Sequence, residues 1–171
     1  MAKIYLIGSL KNENVTKFAA KVRDAGFEVF DDWFSPGPEA DDHWQRYERE
    51  RGRTYLEALK GHHARNVFDF DVQHIDASDC VVLVMPAGKS AHMELGYAAG
   101  TKKPCFVLFE GEPERYDIMY LFANDVFVDS DKLIERLVSE FGPAAPNDAL
   151  KELMRLAASR EPGGRGRGSA N

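Results

Sequence analysis

The chain has 171 residues, of which 44% are hydrophobic and 29% charged, the profile of one soluble globular domain with a real core. A net charge of -6 argues against a surface that holds duplex nucleic acid by neutralising phosphates, yet leaves room for a small phosphorylated ligand bound by a local patch of donors. No run approaches the ~20 apolar residues of a membrane span, and MAKIYLIGS lacks the basic and long apolar regions of a signal peptide, so the expectation is a cytoplasmic protein with no membrane partner.

KIYLIG (Lys3 to Gly8) is short, apolar and bounded by Gly-Ser, which predicts a buried first strand. From Asn12 to Ala25 the apolar residues Val15, Phe18, Ala19 and Val22 mark one face of a helix, stopped by Gly26. FEVF (Phe27 to Phe30) is the second strand. The segment Asp31 to His43, rich in proline and glycine, is predicted as an unusually long loop. Helical character resumes from Trp44 to Lys60. A further helix is expected over Ala64 to Ala77, with Val67, Phe68, Asp71, Val72 and Ile75 near one face.

CVVLVM (Cys80 to Met85) is a continuous apolar run, as a central parallel strand covered on both faces requires. The stretch PAGKSAHMELGYAAG (Pro86 to Gly100) then opens a helix. PCFVLF (Pro104 to Phe109) is another buried strand, and Glu110 to Asn124 a loop with room for one helical turn. DVFVD (Asp125 to Asp129) is the last strand, and Asp131 to Phe141 and Asn147 to Ser159 are predicted helices. Residues 160–171, EPGGRGRGSAN, are expected to be a disordered tail on a single domain spanning residues 1–159. The two cysteines, Cys80 and Cys105, lie in apolar runs and read as buried reduced thiols.

Strands alternating with helices imply an α/β fold: a flavodoxin-like or Rossmann-like doubly wound parallel sheet of about five strands with helices on both faces. Ligands bind such sheets beyond the carboxyl ends of the strands. Four loops fall on that edge: Gly8–Ser9 to Asn12, Asp31 to His43, Pro86 to Ala91, and Glu110 to Asn124.

A carboxylate near a helix N-terminus, such as Glu94, can simply complement the helix dipole. Here Gly88, Ser90 and Ala91 would let a ligand approach closely, and Gly96 and Ala98 to Gly100 would let the helix pack closely on its neighbours. Glu94 is therefore a candidate nucleophile. Asp71 lies on the helix before the same strand, so the two acids can face one cleft. Paired carboxylates suit glycosidic chemistry, in which one attacks the anomeric carbon and the other manages protons. Asp69 and Asp76 are expected to face solvent, and Asp79 to cap or turn before the strand. The acids Asp31, Asp32, Asp41 and Asp42 match no calcium-loop spacing; neither a metal nor another cofactor is expected.

KIYLIGSL, FDFDVQHIDASDCVVLVM and the small-residue loop entering MELGYAAGTKKP resemble the nucleoside 2-deoxyribosyltransferase superfamily, which includes 2'-deoxynucleoside 5'-phosphate N-hydrolases. The resemblance runs from about Lys3 to Val128 and is strongest from Asp71 to Pro104. It implies a double displacement on a nucleoside or nucleotide substrate. The family's nucleophilic glutamate matches Glu94, its aspartate before the strand matches Asp71, and its first-strand tyrosine matches Tyr5.

Where transferases often carry an acid and phosphate-preferring hydrolases a serine, this chain has Gly88, followed by Lys89, Ser90 and His92. Lys89 and Ser90 are candidates for a 5'-phosphate, with Ser90 as helix N-cap the alternative. His92 is a candidate ligand contact, as are Gly8 and Ser9 after the first strand. Trp33, with Phe34 and Trp44, could stack on a base, close the cleft or fill a subunit interface. Asp117 and Met119, with Asn124 as a nearby polar alternative, fall where transferases complete a neighbouring subunit's site, which implies a homo-oligomer with shared active sites. Base transfer leads. Hydrolysis, NAD cleavage of the Toll/interleukin-1 receptor type, and non-catalytic nucleotide binding remain as alternatives.

Overall fold

The apolar runs Lys3–Ile7, Cys80–Val84 and Cys105–Leu108 are buried on both faces, which requires helices to cover the sheet above and below, while Glu28–Phe30 and Asp125–Phe127 form its more exposed edges. A computed structural model describes residues 1–142. The helix expected over Asn147 to Ser159 and the tail after it lie outside the described residues. The strands are β1 (Lys3–Ile7), β2 (Glu28–Phe30), β3 (Cys80–Val84), β4 (Cys105–Leu108) and β5 (Asp125–Phe127). Their order across the sheet is β2-β1-β3-β4-β5, all parallel, the flavodoxin-like arrangement. The strand order reverses between β1 and β3, so the crevice beyond their carboxyl ends is the expected ligand position.

Two apolar layers sandwich the sheet. On one face α1 (Asn14–Asp24) and α6 (Ser130–Phe141) bury Val15, Phe18, Val22, Leu133 and Leu137 against Ile4, Leu6, Val82 and Phe106. On the other, α4 (His62–Asp76) and α5 (Lys89–Gly100) bury Ile75, Ala91, Leu95 and Ala98 against Tyr5, Ile7, Val81 and Leu83. The four apolar positions that predicted α1 are all fully or almost fully buried. Both cysteines are free and buried. Asp79 turns the chain into β3 and accepts the Lys3 amide at 2.7 Å, joining the starts of β3 and β1.

The segment between β2 and α4 departs from expectation. The predicted loop over 31–43 holds a 3-10 turn (Asp32–Phe34) and the first turn of α2 (Ala40–Glu50). The single helix expected from Trp44 to Lys60 is two, α2 and α3 (Tyr55–Ala58). Gly52, at φ +71°, ends α2 in the left-handed conformation glycine adopts without steric cost. Thr54 then starts α3 with a capping box: its hydroxyl accepts the Glu57 amide and Glu57 accepts the Thr54 amide. Arg53, in the break, reaches back to the buried Glu48 at 3.0 Å.

Helix α4 also differs. It begins at His62, and of the five residues expected near one face only Ile75 is fully buried, Asp71 and Val72 are half-buried, and Val67 and Phe68 are exposed. On α5 the close packing onto the sheet is made by Ala91, Leu95 and Ala98; Gly96 faces outward, with nothing near the place its Cβ would occupy. The N-cap of α5 is Gly88, which has no side chain to cap with, so Ser90 sits in the first turn and is not the cap.

Candidate active site

Tyr5 stands in the middle of β1, next to β3, and its side chain points to the face covered by α4 and α5. The phenol is fully buried, and its hydroxyl lies 3.4 Å from Asp71 Oδ1, donating to the carboxylate. Asp71 projects from α4 and Glu94 from the second turn of α5; both are half-buried. Glu94 lies near enough to the same phenol to be influenced by it, so Tyr5 sits between two carboxyls contributed by the elements on either side of β3.

The electrostatics follow from that crowding. Burial pushes the Glu94 carboxyl up from its ordinary value of 4.5 to about 7, the charge of Asp71 adds to the rise, and the Tyr5 hydroxyl works against it. Burial raises Asp71 as well, opposed by the Tyr5 hydrogen bond and by His74. Tyr5 is held far above the normal phenol range by burial first and by the two acids next, so it stays a neutral donor. Two neighbouring carboxyls in a poorly solvated site share their titration. The protons they hold therefore belong to the pair, and such a pair can offer one carboxylate and one acid.

The other candidates lie on the segments that follow β1, β2, β3 and β4. Gly8 follows β1, where a Cβ would come within 2.6 Å of Val15 Cγ2, so only glycine lets α1 pack this close. Ser9 Oγ accepts the Lys11 amide at 3.2 Å and shapes the turn after β1. The Trp33 indole N–H donates to the Leu6 carbonyl at 2.7 Å, and the ring packs against both apolar layers. Trp33 is therefore a fixed wall over the end of β1, while Trp44 sits on α2 facing His63, with ring centroids 6.4 Å apart.

Gly88, Lys89 and Ser90 are exposed at the start of α5. The amides of Lys89, Ser90 and Ala91 meet no acceptor among the described residues. His92 is held in place: one ring nitrogen lies 2.7 Å from the Gly88 carbonyl and the other 2.9 Å from the Tyr120 hydroxyl. Asp117 caps the 3-10 turn Ile118–Phe122 by accepting the Met119 amide at 2.9 Å, and Met119 is exposed.

Asn124 does not join them. Its Oδ1 accepts the amide of Cys105, the first residue of β4, at 2.8 Å. The loop from Glu110 thus crosses from the carboxyl edge of the sheet and ends at the amino edge, and Asn124 serves as a strand connector there.

Sequence reasoning passed over Asn12. It is buried, its amide donates to the carbonyls of Val84 (3.2 Å) and Pro86 (3.1 Å), and its Oδ1 accepts the Asn14 amide. One side chain thereby ties the loop after β1 to the loop after β3, across the point where the strand order reverses. A lone asparagine before a helix gives no local sign of this, since its partners are more than seventy positions away.

Comparison with known proteins agrees with the architecture. The family model described as nucleoside 2-deoxyribosyltransferase matches residues 4–143. The fold is similar to that of a 2-deoxyribosyltransferase from Bacillus psychrosaccharolyticus, at 23% identity and a TM-score of 0.52, covering 78% of this chain and 90% of that one. It is also similar to a conserved protein from Enterococcus faecalis V583, at 14% identity and a TM-score of 0.57, covering 82% and 99%. At these identities the likenesses speak for the shared fold. A search of curated proteins gives no match. With 140 consecutive positions matched by the family model, a doubly wound sheet in the flavodoxin-like order and two acids flanking its third strand, the chain is an enzyme of the nucleoside 2-deoxyribosyltransferase family.

Proposed function

We propose that the protein cleaves the N-glycosidic bond of a 2'-deoxynucleoside or its 5'-monophosphate and transfers the deoxyribosyl group to another base. The observation that carries this reading is the meeting of Asp71 and Glu94 on the single Tyr5 phenol. The Glu94 carboxylate attacks C1', forming a C–O ester bond as the C1'–N bond breaks. The bonding pair leaves on the base nitrogen, which takes the proton from Asp71. An incoming base then attacks C1', returns a proton to Asp71 and frees Glu94. Water in place of that base gives hydrolysis by the same residues. No metal enters either half-reaction.

The test is incubation with each deoxynucleoside and deoxynucleotide, with and without a free acceptor base, followed by product identification and mass analysis of acid-quenched protein. Released base together with a deoxyribosyl adduct on Glu94 supports the proposal. Absence of base release from every substrate would overturn it.

A 5'-monophosphate is the favoured form of the substrate. The open amides of the first turn of α5, with Lys89 and the Ser90 hydroxyl beside them, offer an anion the donors it needs. Replacing both residues, K89A/S90A, is expected to raise KM for the monophosphate about tenfold or more. KM for the unphosphorylated nucleoside should change less than twofold, and equal effects on both would remove the phosphate role.

The oligomer belongs to the same proposal. The outer surface of the α4–α5 layer and the adjoining 3-10 turn exposes Phe68, Met93, Ile118, Met119 and Leu121, the last at 82%. A second copy covering this face would bring Asp117 and Met119 to its neighbour's site. A charge on this surface, Leu121→Glu, is expected to yield monomers in analytical ultracentrifugation and at least a tenfold loss of turnover. An unchanged assembly with full activity would reject the shared site. The buried free thiols suit a reducing compartment such as the cytoplasm. Among the described residues no helix is long and apolar enough to cross a membrane.

A further inference from the structure

His74 lies one helical turn after Asp71 on α4 and closes a circuit of contacts that returns to it. The Tyr5 ring is stacked on Phe30, its register partner in β2, with centroids 5.2 Å apart and planes 19° from parallel. Phe30 is 4% exposed and also carries the His74 imidazole at 3.9 Å and 13°. Phe70 packs edge-on against His74 at 4.4 Å, and is itself 5.6 Å from Phe30. The path therefore runs from Asp71 through Tyr5, Phe30 and His74 and back along α4 to Asp71. Every link is a hydrogen bond, a ring stack or a single turn of helix.

A lone ring stack adds about 0.5–1.5 kcal/mol beyond its area, which is small for folding. Placement is another matter. Tyr5 sits deep in the core, and its hydroxyl must lie between two carboxyls that it serves unequally. Rotating the phenol by a few tenths of an ångström favours one carboxyl at the other's expense. Misplacing groups of this kind by about 1 Å can cost a hundredfold in rate.

We propose that His74, acting through Phe30, is a positioning residue that fixes the Tyr5 hydroxyl against Asp71. The inference rests on the proposed roles of Asp71, Glu94 and Tyr5. The charged groups around the circuit are Asp71 on α4, Glu94 on α5, and Lys3 on β1. Lys3 lies 5.4 Å from the Phe30 ring centre and is paired with Glu28 at 3.2 Å. Ring shape is what the stack demands of position 74, so phenylalanine should keep Tyr5 in place where aliphatic residues do not, although it removes the imidazole that helps hold the Asp71 carboxyl down.

The experiment compares His74→Ala, His74→Leu and His74→Phe. The first measurement is the ring-carbon NMR signal of Tyr5 in protein carrying labelled tyrosine, which reports the phenol's hydrogen bond without needing turnover. The second is base release, read as kcat and KM. The signal should move in the alanine and leucine variants and stay at the wild-type position in His74→Phe. In the aliphatic variants kcat should fall about tenfold with KM within twofold, while His74→Phe, which restores the stack but not the imidazole beside Asp71, should recover at least half of that loss on a logarithmic scale. Leucine preserves apolar bulk, so it reports on the stack if the alanine variant does not fold.

An unmoved Tyr5 signal in the folded leucine variant would overturn the inference, and so would a phenylalanine variant as impaired as the leucine one. Absence of base release in the wild type would instead sink the functional reading, and the Tyr5 signal would still decide the role of His74.

Discussion

Replacing Glu94 by glutamine is expected to abolish turnover and, at the same time, to make the protein more stable at alkaline pH. The loss of activity follows from the proposed chemistry: an amide cannot serve as the nucleophile that forms the glycosyl ester, so a fall of at least a thousandfold is expected. The gain in stability follows from burial. The Glu94 carboxyl titrates near 7 when folded and near 4.5 when exposed. Between those values the folded chain binds the proton that the unfolded chain has released, so stability falls as pH climbs through that window. Above it, the folded protein carries the full cost of a charge held in a poorly solvated site beside Asp71. At 1.36 kcal/mol per pKa unit that cost is on the order of 3 kcal/mol.

Glutamine has no charge to bury. Thermal melts at pH 8 should therefore place Glu94→Gln above the wild type by roughly 5–10 °C. At pH 5, where the folded wild type is already protonated, most of the gain should be gone. A variant that is inactive yet no more stable at pH 8 would show that the wild-type carboxylate is not held at a cost. Such a trade of stability for a reactive group is a common signature of catalytic acids.

Asp71→Asn carries the second large effect, and it separates the two acids. Asparagine cannot supply a proton, so kcat should fall by roughly a hundred- to ten-thousandfold for a base that needs one on departure. A base that leaves readily as an anion should lose much less. The substitution also removes the charge that helps raise Glu94. The acid limb of kcat/KM, expected near pH 7 in the wild type, should move to lower pH. It should stop short of an ordinary glutamate's value, since burial, the larger cause, persists. Equal losses for good and poor leaving groups, with an unmoved limb, would take the proton-transfer role away from Asp71.

The two acids respond differently because their surroundings differ. Asp71 has His74 on its own helix and the Tyr5 hydroxyl at 3.4 Å, both holding its carboxyl down against burial. Glu94 has the same phenol but faces the Asp71 charge. Asp71 is thus relieved by its neighbours while Glu94 is pressed by its neighbour. Their measured titration will belong to the pair, and the variants are the means of dividing it.

Local pattern was enough for much of this protein. Apolar runs of four to six residues set the strands, and the spacing of Val15, Phe18, Ala19 and Val22 set the buried face of α1, because backbone geometry turns periodicity directly into facing. The alternation of strand and helix implied the doubly wound sheet. The acids at 71 and 94 were marked by their places on either side of one apolar run, and Tyr5 by resemblance to a family to which the chain belongs. Where local chemistry was misread, it was still present. Gly52 and the Thr54–Glu57 capping box divide α2 from α3, and both were visible in the sequence beneath a helix that looked continuous.

Other features depended on the assembled sheet. The meeting of positions 5, 71 and 94 requires β1 and β3 to be neighbours, with α4 and α5 on one face. The Asn12 brace and the Tyr5–Phe30–His74 stack join residues 25 to 74 positions apart. The loop ending at Asn124 crosses to the amino edge because β5 runs parallel to β4 and must start where β4 starts. A residue's neighbours in sequence constrain its dihedral angles and its facing. Which distant side chain it meets is decided only when strand order, register and helix packing are satisfied together, and that is how positions 5, 71 and 94 come to share one place in the fold.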